Sequence, residues 1–230
     1  MTNPKLNSLV TPSEETESII HVWSNDIGVG ISTFFFAASL SKLSQGKKVI
    51  YISTKSLFKT ERFQQLMQFY TPFDPYNFLL YHPTSFAQQI EIIMNLEFLI
   101  LEELRLLKKS SIGLIVLDGA SILRHLELKS EEHNQKSLRV YNTTIATLEF
   151  IRTTYLIPIL ISNRAVIRIK DDKIISQPAS NIVMEYWTKI RIKLERTDTP
   201  SLRNIKLEKH PTAQNLPIQI QTELTESGFI

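Results

Sequence analysis

Residues 19–43, IIHVWSNDIGVGISTFFFAASLSKL, decide the fold class of this 230-residue chain. The apolar run at 19–23 predicts a strand. SNDIGVGIS connects it to an apolar helix predicted over 32–43, with Gly46 as the signal that stops the helix. Further along the chain, strands are predicted at 48–53, 78–81, 113–117 and 157–161, and helices at 60–70, 85–109 and 137–155. Strands that alternate with helices indicate an α/β protein with a mostly parallel central sheet.

The pattern changes after residue 180. Apolar and polar residues alternate over 186–195, which predicts a half-exposed strand, and two more strands are predicted at 202–207 and 217–222. These strands are expected to form an antiparallel meander at one edge of the sheet. Residues 1–17 are polar and lack apolar periodicity, so we expect a flexible N-terminal arm followed by one core domain over 18–230.

Composition excludes several classes of protein. The absence of cysteine excludes disulfides, thiolate zinc sites and cysteine nucleophiles. The five histidines do not have the spacing of a metal site. Mean hydropathy is −0.06, and no apolar run reaches the ~20 residues that a membrane span needs. These features, with a polar N-terminus, predict a cytoplasmic protein with no membrane partner. A net charge of +3 and a pI of about 9.0 are compatible with nucleic-acid binding.

A glycine loop lies between the first strand and the first helix. A phosphate-binding loop has the pattern G-x-x-x-x-G-K-[ST], whose glycines, lysine and hydroxyl contact phosphate and Mg²⁺. Residues 25–32 keep part of it, with Gly28, Gly30 and Ser32 in place, and Thr33 follows directly. Asn25 replaces the first glycine and Ile31 replaces the lysine, a loss of about 1.5–3 kcal/mol of phosphate binding. The alternative is a tight turn without a ligand.

A second signal lies about 90 residues further on. The apolar strand over 114–117 ends in Asp118, and an aspartate in this position orients Mg²⁺ in nucleotide-binding folds. The candidate nucleotide site therefore includes Asp118, with Ser32 as the other Mg²⁺ ligand. The alternative for Asp118 is a polar cap at the end of a strand.

Several segments, taken in order, resemble the RecA/RadA recombinase core, and most closely its short archaeal RadB-type paralogues. VIYISTKSLFKTERF at 49–63 is similar to the family's strand followed by DTEGTF-x-x-ER, and GLIVLDGAS at 113–121 to its Walker B strand. ILISNRAV at 159–166 resembles the family's VTNQV strand. Asn181-Ile182 and the strand after them resemble its GGN-[IV] segment and the strand that follows, and ESGFI at 226–230 resembles its final turn. The resemblance implies a RecA-like P-loop core without the helical N-terminal domain of full-length RadA.

The chain departs from this family at the catalytic positions. Lys55 stands where the family has the glutamate that activates water, Arg164 where it has the glutamine that senses the γ-phosphate, and Ile31 where it has the P-loop lysine. With Asp118 included, the formal charge of these four positions changes from −1 to +1. The resemblance therefore implies a pseudo-ATPase without catalytic residues, whose pocket could hold ATP and Mg²⁺ without hydrolysis. Alternatively, Lys55 and Arg164 point into solvent.

Two segments correspond to the family's DNA-contacting loops, at about 124–139 and 164–180. Residues 163–210 carry 11 Lys/Arg and 6 Asp/Glu, an excess that favours salt-sensitive binding of single-stranded DNA without sequence preference. The alternative for Lys189, Arg191 and Lys193 is a solvated face of the sheet. The candidate DNA-binding residues are Arg124, Lys136, Arg139, Arg164, Arg168, Lys170 and Lys173.

The resemblance implies a function in DNA repair and homologous recombination. We expect a non-hydrolysing recombinase paralogue that weakly binds single-stranded DNA, an active RadA-type recombinase or another paralogue. One alternative is a weak DNA-dependent ATPase that uses a displaced cation such as Lys55. The other is a protein-interaction module that has no role on DNA.

Overall fold

A mostly parallel β-sheet forms the centre of this computed structural model, which describes residues 18–107, 111–170, 173–213 and 216–230. The arm expected at 1–17 lies outside the described residues. The strands are β1 (Ile20–Ser24), β2 (Lys48–Ser53), β3 (Phe78–Tyr81), β4 (Ile112–Asp118), β5 (Ile159–Lys170), β6 (Lys173–Pro178), β7 (Ile190–Arg196), β8 (Leu202–Lys209), β9 (Ile218–Thr225) and β10 (Gly228–Phe229).

Helices cover both faces of the sheet. The α-helices are α1 (Ile31–Leu43), α2 (Thr60–Met67), α3 (Phe86–Met94), α4 (Leu96–Leu107), α5 (Ile122–Leu126), α6 (Glu131–Tyr155) and α7 (Asn181–Trp187). One hydrophobic layer contains α1 and α2, and the opposite layer contains the helices from α3 to α7. Within the described ranges, no helix has the length and apolar character needed to span a membrane.

The strand order confirms the predicted α/β class. It runs β10-β9-β8-β7-β1-β5-β4-β2-β3, with β6 paired to β5 beside this path. Strands β7, β1, β5, β4, β2 and β3 are parallel, whereas β8, β9 and β10 continue from β7 in antiparallel pairs, as the alternating pattern predicted. Because ligands of open α/β sheets bind beyond the carboxyl ends of the strands, this topology gathers the predicted site residues at one edge.

Helix α1 is buried along most of its length, which explains its apolar composition. Phe34, Phe35 and Phe36 are at most 6% exposed and pack in the first layer. Phe36 lies 5.3 Å from Phe63 of α2, and Phe34 lies 6.1 Å from Phe229 of β10, measured between ring centroids. Helix α1 is therefore held between the sheet, α2 and the last strand.

The prediction of a single long helix over 85–109 is wrong. The structure has two helices, α3 and α4, which are separated at Asn95. The Asn95 side-chain amide donates a hydrogen bond to the Glu91 carbonyl at 2.9 Å. Such local side-chain bonds compete with the helical ladder, and an apolar pattern does not reveal them.

Both segments predicted as loops contain regular structure. The first contains α5 and the start of α6. Helix α6 begins at Glu131, six residues before its predicted start, because the Ser130 hydroxyl caps it by accepting a hydrogen bond from His133 N. The second is mainly a β-hairpin, in which β5 continues beyond the sheet and pairs with β6. The strand predicted from residue 186 begins at Ile190, because Tyr186 and Trp187 complete α7.

Candidate functional site

A cavity of about 740 Å³ opens at the carboxyl ends of β1, β2, β4 and β5. The glycine loop forms one wall, and Lys55, which follows β2, and Arg164, which lies within β5, contribute cationic side chains. The predicted nucleotide-site residues lining it are Asn25, Gly28, Gly30, Ile31, Ser32, Thr33, Lys55 and Arg164. Asp118 lies beneath them at the end of β4 and is 2% exposed. The sequence therefore identified residues that the fold brings together.

The glycine loop has a backbone that its two glycines permit. Gly28 has φ +69° and Gly30 has φ +111°, values that residues with a Cβ rarely adopt. Gly30 is also closely packed, since a Cβ there would lie 2.9 Å from Phe229 Cζ. The Arg203 guanidinium donates from Nε to the Val29 carbonyl at 3.0 Å. Ile31 packs against the hydrophobic layer around α1, so the position of the phosphate lysine serves the core.

The Asp118 carboxylate accepts four side-chain donors. Its Oδ1 accepts from Ser162 Oγ at 2.7 Å and from Lys55 Nζ at 2.7 Å. Its Oδ2 accepts from Ser32 Oγ at 2.9 Å and from Tyr51 Oη at 3.0 Å. Burial, together with the adjacent carboxylate, raises the pKa of Tyr51 well above its usual value, so the phenol remains a donor. Asp118 is therefore the centre of a buried polar network and does not act as a simple strand cap.

Lys55 points into this network rather than into solvent. Its Nζ lies 2.7 Å from Asp118 Oδ1 and donates to Ser32 Oγ at 2.8 Å, with a third of the side chain exposed. Ser32 and Asp118 are the two residues predicted to hold Mg²⁺, and the ammonium contacts both. The side chains present therefore do not fit the expected Mg²⁺ site.

Arg164 lies at the mouth of the cavity. It is exposed, lines the cavity wall and sits where β5 leaves the sheet to form the hairpin. The Ser176 hydroxyl of β6 donates to Asn25 Oδ1 of the glycine loop at 2.5 Å. The hairpin and the loop are thus in direct contact.

Four further residues belong to the site although no sequence motif marks them: Tyr51, Lys59, Arg62 and Ser162. Arg62 and Lys59 line the cavity from the start of α2. The Arg62 Nε donates to Thr33 Oγ1 at 3.3 Å. Ser162 lies directly beside Asp118 because of the parallel register of β4 and β5, which the sequence pattern does not reveal.

Comparisons with known proteins extend along almost the whole chain. The DNA repair and recombination protein RadB of Methanococcus maripaludis is 31% identical over 210 residues, which cover 91% of this chain and 89% of that protein. The chain belongs to the RadB family. The protein of the same name from Methanosphaera stadtmanae is 27% identical over 232 residues, covering 100% of this chain and 94% of its own.

A solved structure supports the same fold. The crystal structure of the RadB recombinase superimposes with a TM-score of 0.73 at 22% identity, covering 98% of this chain and 96% of its own. No protein-family model matches the chain. The resemblance to the RecA/RadA family and its RadB-type members is confirmed.

Arg124 of this RadB-family chain, one of the candidate DNA-binding residues, is almost wholly buried, which does not favour a contact with DNA. It is 6% exposed, and its guanidinium donates to Ser180 Oγ and to the Asn134 carbonyl, both at 3.3 Å. It also lies 5.9 Å from the centroid of the Tyr141 ring. Arg124 therefore joins α5, α6 and the segment before α7.

The other candidate DNA-binding residues lie in two places. Lys136 and Arg139 are exposed on α6, and Lys136 pairs with Glu132 one helical turn earlier at 2.8 Å. Arg168, Lys170 and Lys173 are on the hairpin, where the register places Lys170 opposite Lys173. The RadB-family chain thus presents its basic hairpin positions on an extension of the strand that forms part of the cavity wall.

Proposed function

We propose that this chain is a non-hydrolysing RadB-family protein that assists DNA repair and homologous recombination by binding single-stranded DNA, a RadA-type recombinase, or both. The RadB relatives, whose names describe DNA repair and recombination, support the biological role. The ion pair between Lys55 and Asp118 carries the non-hydrolysing part of the proposal. Lys55 is the residue that replaces the family's water-activating glutamate, and its ammonium cannot accept a proton from water.

The remaining groups of the cavity do not replace that base. Asp26 is the one carboxylate among the described residues that line the cavity, and its Oδ2 accepts from Arg196 N at 2.7 Å. General-base catalysis contributes about 10²–10⁴-fold to a rate, and Ile31 also leaves the phosphates without the P-loop lysine. ATP binding without turnover remains compatible with the cationic side chains of Lys55, Lys59, Arg62 and Arg164.

Phosphate release from ATP tests this part of the proposal. We expect background rates both with and without single-stranded DNA. Turnover that exceeds background and disappears in Asp118→Ala would identify the chain as a weak DNA-dependent ATPase and refute the proposal.

The hairpin formed by β5 and β6 is the proposed DNA surface. It carries Arg168, Lys170 and Lys173 close to the two residues that join its strands, and its Ile167 side chain is 74% exposed. Its contact with the glycine loop, through Ser176 and Asn25, links DNA binding to the cavity. Contacts between such basic residues and phosphates give affinity that falls with salt and ignores sequence.

Fluorescence anisotropy with a labelled single-stranded oligonucleotide tests the surface. Replacing Arg168, Lys170 and Lys173 by Ala should weaken binding at low salt and reduce the slope of log Kd against log salt by about 2, since each contact to a single strand contributes about 0.7. The matched control is the triple Ala variant of Lys42, Lys47 and Arg105. It removes the same number of positive charges near the amino ends of the strands, away from the hairpin. Equal effects of the two triple variants would refute a hairpin surface.

The recombinase partner is tested separately. A pull-down from native lysate, with and without nuclease, should recover a RadA-type recombinase or another paralogue. Recovery that persists after nuclease treatment indicates direct contact, and recovery that nuclease abolishes indicates a bridge of DNA. If no recombinase is recovered in either condition, the partner part of the proposal fails.

A further inference from the structure

The Lys55 ammonium lies where a P-loop protein holds its divalent cation, between the loop hydroxyl and the strand-end aspartate. Its Nζ is 2.8 Å from Ser32 Oγ and 2.7 Å from Asp118 Oδ1. We propose that Lys55 is a built-in cation that excludes Mg²⁺ and other divalent ions from Ser32 and Asp118. The site would then be independent of divalent metal, unlike the site that the fold family implies.

The hydrogen bonds of Asp118 support exclusion. Both carboxylate oxygens already accept two donors each, from Lys55 and Ser162 on one oxygen and from Ser32 and Tyr51 on the other. Mg²⁺ takes oxygen ligands at about 2.0–2.1 Å in near-octahedral geometry. An ion that contacted Ser32 and Asp118 at those distances would occupy the space of the ammonium and be repelled by its charge.

The backbone before Lys55 is fixed in a way that holds the ammonium in place. Thr54 N donates to the Asp118 carbonyl at 3.1 Å. The Thr54 hydroxyl donates to the Gly119 carbonyl at 2.6 Å. Ser53 and Asp118 are also direct partners in the register of β2 and β4. The residue before Lys55 is therefore attached to the residues that carry its ion-pair partner, so little chain freedom is lost when the pair forms.

The remaining surroundings do not offer a second metal site. Lys59, Arg62 and Arg164 add positive charge to the same cavity. Over the described part of the chain, no three His, Asp or Glu side chains come together as a metal site would require. A divalent ion would thus meet excess positive charge and a carboxylate that is already neutralised.

Binding of Mn²⁺ to the protein alone tests the proposal, measured by water-proton relaxation and by thermal melting with and without the metal. The wild type should show no Mn²⁺ site that depends on Asp118. Lys55→Ala should melt at a lower temperature than the wild type and should gain one Mn²⁺ site. At ten times its Kd, the metal should raise the melting temperature of this variant by about 3–6 °C. The double variant Lys55→Ala/Asp118→Asn should lose the site.

Two further variants keep the result interpretable. Lys55→Gln removes the charge with less loss of volume, and it serves if Lys55→Ala does not fold. Lys48→Ala is the matched control, because it breaks a half-buried ion pair with Glu103 at the other end of β2 and should gain no Mn²⁺ site. An Asp118-dependent Mn²⁺ site in the wild type, or the absence of a site in both Lys55 variants, overturns the proposal. ATP turnover is measured separately, so the proposed function and this inference can fail independently.

Discussion

Gly30→Ala tests whether the glycine loop is fixed by packing against the last strand. The added Cβ would lie 2.9 Å from Phe229 Cζ and 3.1 Å from Leu224 Cδ2, on a backbone with φ +111°. Backbone strain of this kind costs about 1–3 kcal/mol, and overpacking costs about 1–3 kcal/mol more. We therefore expect a loss of roughly 2–6 kcal/mol in the free energy of unfolding, measured by urea denaturation.

Gly46→Ala is the matched control, since Gly46 has φ +74° and an added Cβ there would meet no atom within 4 Å. It should cost only the left-handed backbone penalty, about 1–2 kcal/mol. In a Phe229→Ala background, Gly30→Ala should lose the part of its packing cost that comes from Phe229, while the contact with Leu224 remains, which gives a coupling energy of about 1–2 kcal/mol in a double-mutant cycle. No coupling, with equal losses in the two glycine variants, would refute close packing of the loop on β10.

Three further expectations concern buried and exposed charges. Burial and nearby cations lower the pKa of His21 to about 3 in the folded protein. Because the unfolded chain takes up this proton near pH 6.5, the free energy of unfolding should fall by about 2 kcal/mol between pH 7 and pH 5. Urea unfolding should show this loss in the wild type and not in His21→Leu. Arg124→Ala should lower the free energy of unfolding by about 2–3 kcal/mol and leave single-stranded DNA affinity unchanged. Lys136→Ala should change stability by less than about 1 kcal/mol, because its pair with Glu132 is exposed.

The arrangement of the core strands was predictable because each signal was local. The apolar run before the glycine loop, the β-branched run at 48–53 and the run ending in Asp118 all became strands close to their predicted bounds. Alternation of strand and helix then required parallel pairing, which brings the strand ends together. The cationic character of the cavity was predicted from the family resemblance, because Lys55 and Arg164 replace an acidic and a neutral residue of the family.

The partner and the burial of each cationic side chain were not predictable from the sequence. Lys55 meets Asp118 because the register of β2 and β4 puts their ends side by side, and Arg124 is buried because α6 begins earlier than its apolar pattern suggested. The hairpin was not predicted, although the sequence carries a local signal for it. Two runs rich in β-branched residues flank Asp171-Asp172, a pattern typical of a β-hairpin. The resemblance to a DNA-contacting loop depends on the charge of this segment and carries no information about its secondary structure.

The central position of β1 has a consequence for how the chain is made. Ile20 pairs with Leu160 of β5 on one side and with Ile190 of β7 on the other. During synthesis at about 5–20 residues per second, the first strand therefore waits on the order of ten seconds or more for its neighbours. Throughout that interval an apolar strand with two open edges leaves the ribosome unpaired, a state in which strands readily aggregate. We therefore expect the yield of folded protein in a reconstituted translation system to depend on chaperones that shield this segment.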